Sequence, residues 1–143
     1  RTHPRGAEVN VYEVDQALMA HLRGIEGLEV VEDAVPGGAK GRSVYAVFFG
    51  GDLTPRAKAV SMASPRYSAM MHTFAVLVAA RTASVRNSVR EEVRSRLMGW
   101  SAPGVGQVRE TGQLNSYGDT DATIQPLKYA CYMTFQTMIS EAV

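Results

Sequence analysis

Apolar residues recur at helical spacing early in the chain. Val11, Val14, Leu18, Leu22 and Ile25 fall on one stripe, which predicts a helix over residues 10–23. Asn10 stands where an N-cap is needed, and Glu13 three residues later completes a capping-box-like pair. Gly24 and Gly27 end the helix. Residues 28–35 read as a strand stopped by Pro36, Gly37 and Gly38, and residues 43–49 as a second strand rich in β-branched and aromatic side chains. The glycine-rich stretch 34–42 between them fits either a hairpin or a crossing. Residues 50–65 show no period and carry Arg56 and Lys58; a connection this long in a small domain is usually functional or mobile.

The strongest strand lies at 67–81. Phe74, Val76 and Val78 face one way and Ala75, Leu77 and Ala79 the other, which predicts a central strand covered on both sides. A second helix follows over 84–98, capped by residues 82–84. Val85, Val89, Val93 and Leu97 lie four apart on it, and Gly99 ends it. After Trp100 come a Pro-Gly turn, a short strand around 107–110 and a polar turn at 118–123. In the last strand, 127–139, Leu127, Tyr129, Cys131, Met133 and Phe135 share one face. Lys128, Ala130, Tyr132, Thr134 and Gln136 oppose them, as in a sheet with one face buried and one open. The element order predicts an α+β fold: a four- to five-stranded mixed, mostly antiparallel sheet with two helices packed on one face.

Length adds that this is one domain. Residues 1–8 read as a loose arm and 9–143 as a single unit, long enough to bury roughly two-thirds of its unfolded surface. Apolar residues make up 45% and charged residues 20% of the chain, which excludes disorder along its whole length. No run approaches the roughly 18 apolar residues of a membrane helix, so no membrane partner is expected. No segment reads as a signal peptide, and the start at Arg1 rather than Met leaves the true N-terminus open. Fifteen basic and 14 acidic residues give a net charge of +1, unlike the basic excess of a dedicated nucleic-acid binder. The single cysteine, Cys131, excludes an internal disulfide and is consistent with a reducing cytoplasm.

Candidate chemistry is sparse. His3, His21 and His72 have no second ligand at metal spacing, so no metal site is expected and each histidine reads as structural or solvated. Cys131 alternates with apolar neighbours and reads as core, with no activating base. No glycine cluster has a phosphate-cradling frame, so no cofactor is expected, and no catalytic pair emerges. Arg86, Arg90 and Arg94 repeat every four residues on the second helix. They form either a solvated face or a surface for an acidic partner. Trp100 anchors the helix end in the core or sits at an interface. Tyr132, Thr134 and Gln136 form an uncharged strand face of the kind that pairs with another chain.

The helix ending Leu97-Met98-Gly99-Trp100, the Pro103-Gly104 turn, the Gly- and Asp-rich stretch 117–121 and the long strand 128–137 together resemble the tail-terminator (tail completion) proteins of long-tailed bacteriophages. The leading amphipathic helix and the strand 74–80 fit that family's order, and the resemblance covers most of residues 9–140. It implies a non-enzymatic virion protein of the tail or neck, assembled in the host cytoplasm as a homo-oligomeric, hexameric ring. Such a ring caps the tail tube protein, stops polymerisation and offers a docking surface to the head–tail connector. DNA passes through its channel without sequence-specific binding. It carries no catalytic residues over; the loops 34–42 and 50–65, with Arg56 and Lys58, become contact candidates. Two other readings stay open: a neck or connector adaptor, and a nucleic-acid-binding module using Arg86, Arg90, Arg94 and Arg109.

Overall fold

The computed structural model describes residues 11–33, 41–50, 53–55, 67–103, 105–111, 116–119 and 127–142. In chain order they form α1 (Val11–Leu22), β1 (Glu29–Glu32), β2 (Val44–Phe49), β3 (Leu53–Pro55), β4 (Tyr67–Ala80), α2 (Ala83–Leu97), β5 (Arg109–Glu110), β6 (Ser116–Asp119) and β7 (Tyr129–Ala142). The expected arm at 1–8, the Asn10 cap, most of the loop 34–42, and Arg56 and Lys58 lie outside the described residues.

The strands make one mixed sheet in the order β1-β2-β4-β7-β5, with β3 also on β4 and β6 also on β7. Among the described strands only β1 and β2 pair in parallel, which excludes a hairpin between them. The 14-residue strands β4 and β7 pair along their whole length and form the spine. β2 and β3 follow the same side of β4: Phe49 faces Ala75 and Leu53 faces His72. β5 and β6 likewise follow one side of β7. Seven segments therefore occupy five positions across the sheet.

Both helices cover one face. Val14, Leu18, Met19 and Leu22 of α1 and Val93 and Leu97 of α2 share a core with Val44, Ala46, Phe48, Phe74, Val76, Val78, Cys131, Met133 and Phe135. Phe48, Phe74 and Phe135 stack across three adjacent strands at 5.3 and 5.5 Å between ring centres. Thr82 caps α2 by accepting from the Val85 amide at 3.2 Å. Gly99 follows its end at φ +81°, a conformation that suits glycine, and donates to Val108 O.

The structure corrects three sequence expectations. Leu53–Pro55 is a short strand within the stretch read as aperiodic; three residues are too few to show alternation, and proline is tolerated at an edge. Gly118 and Asp119 belong to β6, not to a turn. Leu127 precedes the ladder, so its side chain does not follow the alternation: it packs with Tyr45 and Ala79 on the face opposite Cys131.

Candidate functional site

The arginine row of α2 is held by its own chain. Arg86 donates to Asn87 Oδ1 at 3.1 Å and reaches Ala130 O at 3.5 Å. Arg90 pairs with Glu91. Arg94 Nε meets Glu110 Oε1 at 2.6 Å, and that carboxylate's side chain is only 9% exposed. Arg96, two residues on, donates to His21 O, and His21 Nε2 lies 2.8 Å from Arg96 O. This reciprocal pair ties the ends of α1 and α2 together, and the His21 ring leans on Trp100 at 6.0 Å. Trp100 is half-buried and packs against the core.

Beneath α2, Cys131 is buried in the sheet. Burial pushes its thiol above the ordinary value of 9.0, against the pull of Arg90 and Arg86. A thiol held protonated is a poor nucleophile. Beneath α1, His72 is fully buried on β4, and its Nε2 stands 2.7 Å from Asp15 Oδ1. A carboxylate only accepts, so Nε2 carries the proton. His72 Nδ1 has no hydrogen-bond partner among the described residues. No three His, Cys, Asp or Glu side chains come together among the described residues. No described helix is long and apolar enough to cross a membrane.

The far face of the sheet is less open than alternation implies. Tyr45, Val47, Ala75, Ala79 and Thr134 are all buried on it. Thr134 bonds Thr111 through both hydroxyl and carbonyl, so the structure removes it from the expected open face. Tyr132 is half-buried, 6.4 Å from the Phe49 ring. Gln136 lines a groove of about 510 Å³ with Met71, Gln107, Arg109, Thr137 and Met138. The segment beside it is stitched to β7, with Gly106 donating to Met138 O at 2.7 Å and Thr137 Oγ1 to Gly106 O at 2.6 Å.

Arg109 sits on the groove wall opposite Gln136 in register. It is exposed and has no ion-pair or hydrogen-bond partner among the described residues. The other described arginines are engaged: besides those of α2, Arg23 donates to Val30 O, Arg42 pairs with Glu29, and Arg81 donates to Arg42 O. The sequence grouped Arg109 with the helix arginines. What sets it apart is its place at the sheet edge, away from any described carboxylate that could reach it.

No protein-family profile matches the chain, and no curated protein matches it in sequence. Solved structures do match in fold. The sheath/tube terminator of an extracellular contractile injection system (PVC), in its extended state, superposes with a TM-score of 0.61 at 10% identity. The match covers 95% of this chain and 57% of the terminator, so the chain spans little more than half of that protein's length. A chain of the virion of a native gene transfer agent particle superposes with a TM-score of 0.57 at 16% identity, covering 97% of this chain and 99% of the other. The α+β fold described above is thus shared with a tail terminator and with a component of a virus-like particle.

Proposed function

We propose that the chain is a structural tail protein that forms a ring on the end of a tail tube, ends its polymerisation and joins it to the head connector. The observation that carries this reading is the fold shared with a sheath/tube terminator over 95% of the chain. A ring needs only two different patches that fit each other head to tail, and an asymmetric sheet with two unlike edges supplies them. DNA crosses the ring without sequence-specific contacts, since the cations of α2 are already committed to their own chain.

The direct experiment adds purified protein to polymerising tail-tube subunits. A terminator stops elongation at substoichiometric ratio and leaves rings at tube ends in negative stain. Unchanged tube growth with no end-bound density rejects it. The end-to-end likeness to a chain of a gene transfer agent virion keeps one second reading, a neck adaptor. An adaptor would bind the head connector and leave tube growth unaffected.

A further inference from the structure

We propose that the groove beside β5, with Arg109 on its wall, receives the acidic β1 edge of a second copy of this chain. The inference deepens the ring reading and rests on it: it names the two patches that meet.

The topology comes first. β1 and β5 lie at opposite ends of the sheet, with no further strand beyond either among the described residues. An open edge invites pairing through its backbone, and proteins guard such edges with short strands and charges. β1 is four residues long with a glutamate at each end, and Arg23 covers the outward Val30 carbonyl. Backbone pairing is therefore blunted there, and side chains decide what the edge meets.

The charges at the two ends are complementary. Arg109 is exposed at the β5 end and has no partner among the described residues. At the β1 end, Glu26, Glu32 and Asp33 are exposed and likewise have no ion-pair partner among the described residues, while Glu29 is taken by Arg42. Asp33 adopts φ 69°, the sole positive value at a non-glycine among the described residues, and its amide donates to Phe48 O. That bond ties the end of β1 to β2 and places the exposed Glu32 and Asp33 together at this end of the sheet. Within one chain these carboxylates and Arg109 are separated by the whole width of the sheet and cannot meet. Between two copies they can.

The groove supplies the rest of the contact. Met71 and Met138 give it an adaptable apolar floor, and Gln107 and Gln136 give it uncharged donors and acceptors. An acidic strand end of one copy entering it would place a carboxylate on a guanidinium fork at the rim. Because the donor edge and the receiving groove are at opposite ends of each copy, the contact is head to tail and repeats from copy to copy, closing into a ring when the rotation at each contact divides a full turn.

The test is charge reversal in the full chain, read by sedimentation and native mass over a concentration series at physiological ionic strength. Arg109→Glu alone, and Glu32→Arg with Asp33→Asn alone, should each raise the self-association dissociation constant by about tenfold or more. Combining the three substitutions should return it to within about threefold of the wild type. All three positions are exposed, so circular dichroism melts should coincide, and Arg109→Gln serves as a milder second variant with an intermediate effect. High salt should weaken wild-type assembly. If the wild type closes into rings whose mass and stability the reversals leave unchanged, this surface is wrong and the ring reading stands. If association depends on these residues but yields only open or two-fold species, the surface stands and the ring reading falls. A monomer at every concentration, and on tail tubes, overturns both.

Discussion

Replacing Asp15 with alanine removes a group that the apolar bookkeeping of α1 would overlook. Asp15 keeps its Cβ in the variant and is only partly buried, so little packing is lost. What changes is His72, which is fully buried and whose Nδ1 already lacks a partner among the described residues. Without Asp15 its Nε2 proton faces α1 with no acceptor. An unsatisfied buried donor costs about 1–3 kcal/mol, and in a domain of this size each kcal/mol moves the midpoint by about 2–4 °C. Asp15→Ala should therefore lower the melting temperature by roughly 2–12 °C. Asp15→Asn, whose amide oxygen can still accept, should cost less than about half as much. Gly50→Ala should act through the same pair, because a Cβ there would stand 2.6 Å from Asp15 Oδ2 and displace the carboxylate. The control is His72→Phe with Asp15→Leu: exchanging both partners for apolar groups is close to neutral. Thermal and urea melts of the single and double variants complete a cycle. An unchanged midpoint for Asp15→Ala, or a double variant as damaged as the sum of its singles, would show that Asp15 and His72 are not energetically coupled.

Three further outcomes follow from the geometry. Phe74→Ala empties the middle of the stack of Phe48, Phe74 and Phe135 and should cost about 3–5 kcal/mol in urea unfolding. Thr82→Ala should cost about 1 kcal/mol, because Thr82 Oγ1 is the acceptor for the Val85 amide, with amide exchange rising first in the leading turn of α2. Cys131 should resist a thiol reagent in the native state and react on unfolding. Since burial raises its pKa above 9.0, the unfolded thiol ionises first as pH rises; the stabilising difference is present below 9 and declines above it, so a flat alkaline stability curve in wild type relative to Cys131→Ala would contradict the assignment.

Periodicity was enough for the long elements. Five apolar residues at helical spacing specified α1, and the double-sided alternation of Phe74 to Ala79 specified a central strand, because burial imposes those periods directly. Short elements carry no such imprint: β3 and β6 exist because β4 and β7 offer them an edge, not because Leu53-Thr54-Pro55 or Ser116–Asp119 prefer extension. Thr134 looked like a surface residue since polarity and alternation agreed, yet Thr111, 23 positions away, closes over it. Likewise nothing local joins Asp15 to His72, which are 57 residues apart. The arginine row on α2 is visible in the sequence, but Glu110, the partner of Arg94, lies 16 residues on and outside any helical spacing, so the sequence leaves a solvated face and a partner surface both open. Arg109 gained its meaning only once the sheet order placed it at an edge.

The proposed role stands on head-to-tail assembly of this chain into a ring that ends a tube. The most direct measurement is the native mass of the purified protein at low and high concentration, with negative-stain imaging of the same samples alone and with tail tubes. Closed rings with an open channel, free or seated on tube ends, are the expected result. A protein that stays monomeric at high concentration and leaves tube ends bare would contradict it.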